Sequence, residues 1–120
     1  MEVVYVKKTE FRVVLVTCAN LGEAKKIAHA VVEQRLAACV NIVTTPVESV
    51  YRWKEKVETA REYLLMMKSV EKCLPELQRV VKQLHSYDVP EFIVLPIVSG
   101  LKQYLDWVSA GVKRQTRPRK

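Results

Sequence analysis

An α+β fold of the split β-α-β kind, ferredoxin-like in its order, is what the sequence predicts. It has one antiparallel sheet, two helices on one face and an added helix at the C-terminal end. Three observations lead there. Apolar β-branched runs and amphipathic segments follow one another as β-α-β-β-α-β, the split β-α-β signature. No low-complexity linker interrupts residues 11–112. The chain has 120 residues, 49% hydrophobic and 28% charged. That is enough for one domain with a proper core, and its composition is not that of a disordered segment.

The first strand is Phe11-Arg12-Val13-Val14-Leu15-Val16-Thr17-Cys18, nearly continuously apolar, as in a strand covered on both faces. Asn20 then offers a helix N-cap, with Glu23 in the capping-box position. Ala24, Ile27, Ala28, Val31, Val32 and Leu36 follow at helical spacing and make one apolar stripe. Cys39-Val40-Asn41-Ile42-Val43 starts a second strand, with Pro46 at a bulge or edge position. That strand resumes from Val47 to Trp53. Lys54-Glu55-Lys56 is the polar turn of a hairpin, without the Asn-Gly signal of a tight one. The returning strand runs from about Val57 to Lys68.

A second helix places Leu74, Leu77, Val81 and Leu84 on one face, with Pro75 in the first turn, where no backbone N–H is needed. Phe92-Ile93-Val94-Leu95-Pro96-Ile97-Val98 reads as a fourth strand. Ser99-Gly100 then opens a short helix bearing Leu101, Tyr104, Leu105, Val108 and Val112 on one side. Residues 1–10 form an N-terminal extension, 11–112 the domain, and 113–120 a basic tail expected to be disordered.

Charge is concentrated in that tail. The chain holds 20 basic and 13 acidic side chains, a net of +7. Five of the basic ones lie in Lys113-Arg114-Gln115-Thr116-Arg117-Pro118-Arg119-Lys120, which leaves the rest at only +2. A nucleic-acid footprint gathers Lys and Arg on a folded face, and none is evident. No apolar run reaches the roughly 18 residues of a membrane span. The first residues carry neither the charged region nor the length of a secretory signal. Three cysteines without a CxxC spacing make no disulfide framework, and a cytoplasmic location is expected.

Two helices cover one sheet face only, yet the strands are apolar on both. Leu64, Leu65, Met66 and Met67, with Tyr51 and Trp53, add to that surplus. A bare apolar face and projecting strand edges call for a partner, most simply further copies of the chain. RNA binding on the sheet is disfavoured, because the third strand offers Leu64-Leu65-Met66-Met67 instead of aromatic and basic residues.

Four blocks stand out: Arg35-Leu36-Ala37-Ala38-Cys39-Val40-Asn41, Ser49-Val50-Tyr51-Arg52-Trp53-Lys54, His85-Ser86-Tyr87-Asp88-Val89-Pro90-Glu91, and Leu95-Pro96-Ile97 with Tyr104-Leu105-Asp106-Trp107. Together they resemble the CutA family of divalent-cation-tolerance proteins. They stand in family order and spacing over roughly residues 11–110. The resemblance implies a homotrimer of ferredoxin-like protomers with inward-facing sheets. It also implies binding of copper or another divalent metal ion, in metal tolerance or homeostasis. Two positions depart from the family: Ser86 stands where a proline is usual, and the proline usual near Ala19 is absent.

The resemblance points to His85 and Glu91 as metal ligands. Nitrogen and sulfur donors favour copper and zinc, so Cys18, at an expectedly exposed strand end, is the thiol expected to join them. The bland alternative makes His85 a helix-end residue whose charged form the helix dipole favours, and pairs Glu91 with a lysine. Cys39 reads as packing. Cys73, in a first helical turn, reads either as a thiol of lowered pKa or as a surface thiol without a role. His29 lies off the apolar stripe and reads as solvated. Tyr51, Trp53, Lys68 and Tyr87 form a candidate cleft between subunits for a small anionic or nucleotide-like ligand, as in a signalling trimer. Packing of Tyr51 and Trp53 at the interface is the competing account. No GxSxG, P-loop, GxGxxG or HExxH motif is present and nothing pairs a nucleophile with a base, so the protein is not expected to be an enzyme. No obligatory cofactor is expected.

Overall fold

The computed structural model describes residues 9–113. Most of the expected N-terminal extension and nearly all of the basic tail therefore lie outside the described residues. The elements are β1 (Phe11–Cys18), α1 (Leu21–Glu33), β2 (Cys39–Ile42), β3 (Val47–Trp53), β4 (Lys56–Val70), α2 (Leu74–Leu84), β5 (Ile93–Pro96) and α3 (Lys102–Gly111). A 3-10 turn, Glu71–Cys73, leads into α2, and Pro75 sits in the first turn of that helix.

All pairings in the sheet are antiparallel, in the order β2-β4-β1-β5, with β3 on β4. β1 and β2 run parallel with β4 between them, so α1 crosses over β4, and α2 crosses over β1 to reach β5. The fifteen-residue β4 is the spine. Its second half pairs β1 and β2, and its first half pairs β3 alone as a hairpin arm. The second strand of the sequence is thus two strands, parted around Pro46, which has no N–H for the ladder. The fourth is shorter than expected, spanning Ile93–Pro96, with one further bond from the Ile97 N–H to the Phe11 carbonyl.

Alternation decides the core. Val14, Val16, Leu65 and Met67 point at the helices and are fully buried with Ile27, Val31, Leu77 and Val81. Val13, Leu15, Leu64 and Met66, one residue out of step, are only half-buried. The open apolar face expected from the sequence is present, extended by exposed Ile93 and Leu95 of β5. The β3–β4 arm adds exposed Val50, Tyr51, Trp53 and Val57.

Two backbone features were not foreseen. Lys54 and Glu55 both have positive φ, 47° and 67°, so the hairpin closes as a tight two-residue turn between Trp53 and Lys56. Arg35 also has positive φ, 60°. It ends α1 in a Schellman motif, with the Leu36 N–H donating to the Val31 carbonyl and the Arg35 N–H to that of Val32. Glycine is usual there, since a side chain costs about 1–2 kcal/mol in that conformation.

Candidate metal centre

At the end of the molecule where β1 stops, three elements converge. β1 delivers Thr17 and Cys18, the first turn of α1 delivers Glu23, and the end of α2 delivers His85. Asn20 caps α1 as expected, its side-chain oxygen accepting the Glu23 N–H at 2.8 Å. Glu23 does not complete a capping box. Its carboxylate turns toward the 85–87 loop, where Oε1 accepts the Ser86 N–H at 2.9 Å. The other oxygen, Oε2, lies 3.8 Å from His85 Nδ1. It is buried without a hydrogen-bond partner among the described residues.

His85 is buried, with no side-chain exposure. Its Nε2 lies 2.7 Å from the Thr17 carbonyl, and its Nδ1 accepts the Tyr87 N–H at 3.1 Å. An acceptor facing Nε2 and a donor facing Nδ1 suit the neutral tautomer protonated at Nε2. The ring also lies against that of Tyr87, with centroids 4.8 Å apart. Tyr87 donates its hydroxyl to Glu62 at 3.0 Å. Its pKa is pushed up to about 12, first by burial and then by the Glu62 carboxylate that its proton serves.

One donor atom each from Cys18, Glu23 and His85 lies within 4.8 Å of the others. The structure thus brings together two of the three expected ligands, Cys18 and His85. Glu91 is exposed and does not join the group. Sequence reasoning missed Glu23 because the cap motif already accounted for a glutamate there. The remaining signal was its place on α1, one turn after Cys18 ends its strand.

The thiols need correction. Cys18 is completely buried, not exposed at a strand end, because the start of α1 and the end of α2 close over it. Burial, and secondarily the charges of Glu23 and Glu62, push its pKa up to about 12. Cys73 is neither a surface thiol nor one of lowered pKa. It is buried at the start of α2, its Sγ 3.8 Å from the Lys113 carbonyl, and burial raises its pKa. Cys39 is half-buried, and His29 is exposed as expected.

The four residues of the expected cleft do not gather within one chain. Tyr51 approaches Tyr87 closely enough to raise its pKa. Trp53 pairs with Lys56 at the tip of the arm, whereas Lys68 pairs with Val13 in the body. Twelve residues of β4 separate the two pairings, about 40 Å of strand.

The family model described as CutA1 divalent ion tolerance protein matches residues 12–111. The chain belongs to the CutA1 family. Its similarity to the divalent-cation tolerance protein CutA of Thermus thermophilus is 48% identity over 96 residues, 80% of this chain and 92% of that protein. It is 47% identical over 96 residues to the chloroplastic protein CutA of Arabidopsis thaliana, again 80% of this chain but 52% of that protein. The chain thus spans most of its bacterial relative and about half the length of the plant one. The solved Thermus thermophilus Cut A1 structure superposes with a TM-score of 0.84 at 45% identity, covering 86% of this chain and 99% of that one. The Thermus thermophilus protein is named for divalent-cation tolerance. Among the described residues no helix is long and apolar enough to cross a membrane.

Proposed function

We propose that the protein is a non-catalytic, ferredoxin-like homotrimer of the cytoplasm that binds divalent metal ions of the copper or zinc type and so serves metal tolerance. The observation that carries the metal assignment is the buried, unpartnered Oε2 of Glu23, set beside a buried thiol and imidazole. A carboxylate oxygen without a donor is expensive to bury, and a cation is one chemistry that satisfies it. Cys18 Sγ, Glu23 Oε2 and His85 Nδ1 would hold the ion. Tetrahedral donors at bond lengths of about 2.0–2.3 Å lie about 3.3–3.8 Å apart, so the group need close by only about an ångström. Binding would displace the Tyr87 N–H from Nδ1 and the proton from the Cys18 thiol. Affinity should therefore rise with pH.

The open face supports the homotrimer, the β2-β4-β1-β5 order the ferredoxin-like label, and three cysteines outside any disulfide the reducing compartment. Light scattering that finds a monomer at micromolar concentration would remove the assembly from the proposal.

Calorimetric titration of zinc and copper into the protein and three variants tests the site. Glu23→Gln and His85→Ala should each weaken binding at least about tenfold, the scale of removing a ligand or its support. Glu91→Gln should leave it unchanged. Loss of binding in Glu91→Gln alone would return the carboxylate role to Glu91, and equal affinities in all four proteins would end the assignment.

A further inference from the structure

We propose that α3 is a detachable lid over Cys39, held shut by Arg35. The Arg35 backbone occupies a conformation that favours glycine, and its side chain shows what the arginine adds. The guanidinium donates to the Ala110 carbonyl at 2.9 Å and reaches that of Gly111 at 3.5 Å. In return, the Lys113 N–H donates to the Arg35 carbonyl at 2.7 Å. One residue thus ends α1 with its main chain and caps α3 with its side chain. The last carbonyls of a helix need such donors, and α3 carries no basic residue in its own last turn.

α3 depends on this clasp because little along its own length is buried; its other anchors follow it, Val112 packing with Val70 and Cys73, and Lys113 lying 3.6 Å from Glu76. No side chain caps its start, and between Lys102 and Gly111 only Val108 is buried. α1, by contrast, buries Ala24, Ile27, Ala28 and Val31. A cleft of about 460 Å³ opens beside the last turns of α3, lined by Val70, Lys72, Asp106, Ser109, Val112 and Lys113. At Gly111 the helix comes so close to Ala38 that an added Cβ would stand 3.0 Å from the Ala38 Cβ. Burial, and secondarily the nearby Cys39 thiol, raise the pKa of Tyr104 on the same helix. Cys18 is buried at the other end of β1, whereas Cys73 packs with Val112 and Ala38 just beyond α3, so an opening of α3 uncovers Cys39 and loosens the cover of Cys73, and labelling is read at each thiol separately. Helices with few buried apolar contacts are the ones that open locally.

Hydrogen exchange and maleimide labelling of the full chain test this with Arg35→Gly. Glycine suits the positive φ, so a residue that merely ends α1 would be replaced without any change in α3. A clasp predicts otherwise. The amides of residues 105–111 should exchange about tenfold faster, as expected for loss of a charged hydrogen bond at an exposed site. Labelling of Cys39 should rise by a similar factor, with α1 amides unchanged. Unchanged exchange in α3, or an equal rise throughout α1 and β4, overturns the proposal. Gly111→Ala gives an independent handle if the first variant folds poorly. It should raise Cys39 labelling by wedging the helix from Ala38, and Ala38→Gly in the same chain should reverse it. Wild-type labelling in Gly111→Ala also overturns the lid.

Discussion

Along β1 and β4 the residues that face the helices and those that face away come from the same apolar set. Val14, Val16, Leu65 and Met67 are sealed, whereas Val13, Leu15, Leu64 and Met66 are half-covered. A one-residue step in the strand separates the two groups. Composition cannot distinguish them, but cover can. The closed face holds the fold of the single chain, and at its rim it carries the buried polar group of Cys18, Glu23 and His85. The open face, continued along the β3–β4 arm, leaves apolar surface that only a further body can remove from water. Changes on the two sides should therefore fail in different ways.

The largest effect is expected on the closed side. Leu65→Ala removes a fully buried side chain from the middle of β4 and should destabilise the protein by about 4 kcal/mol, transfer and cavity terms together. Denaturant unfolding measures it. A loss below about 1 kcal/mol would mean that the closed face is not the core of the single chain.

Alkaline pH probes the rim of the same face. Burial pushes the folded-state pKa of Cys18 up to about 12, from the 9.0 of an unburied thiol. A raised thiol contributes stability that is whole below about pH 9 and is lost as pH climbs toward 12. At pH 11 the loss from this group should be about 3 kcal/mol relative to pH 8, at 1.36 kcal/mol per pH unit. Unfolding free energies of the protein and of Cys18→Ala, taken at both pH values, isolate it. The variant should be flatter by about that amount. Parallel curves would show that Cys18 is not the sealed thiol described.

Met66→Lys strikes the open side. It should leave the single-chain fold intact while weakening the proposed assembly by about 2 kcal/mol per subunit, the scale of one large apolar side chain returned to water with a charge in its place. Light scattering on dilution would show dissociation at higher concentration than for the parent. A variant that unfolds outright, or that assembles as the parent does, would erase the distinction between the faces.

The two sides were not equally legible in the sequence. The stripe of α1 and the apolar face of α2 follow from periodicity, because burial on one side imposes a period, and β1 follows from its nearly continuous apolar run. The surplus of apolar residues on strands covered only once also announced the open face. Glu23 was hidden by its own good local explanation: at the third position of a capped helix a glutamate needs no further reason. Cys18 was misplaced because the closure over it comes from His85 and its neighbours, far along the chain, and no local pattern encodes that approach. Arg35 was likewise hidden, since its use is to a helix that ends 76 residues later.

The arm shows the same limit on its smallest scale, and it can be tested there. The sequence Lys54-Glu55 reads as a hairpin turn without the signal of a tight one, yet both residues adopt positive φ between Trp53 and Lys56. The flanking register imposes this, because a two-residue loop between twisted antiparallel strands closes well only in the mirror-image turns. The Arg52 guanidinium, 3.5 Å from the Glu55 carbonyl, adds weak support. Replacing both turn residues, Lys54→Asn and Glu55→Gly, should relieve conformations that side chains disfavour and raise stability by about 1 kcal/mol. If the arm packs against another copy, that gain should appear as slower dissociation as well as a higher melting temperature. A gain in neither would mean that the turn is held by its register so firmly that its residues no longer matter.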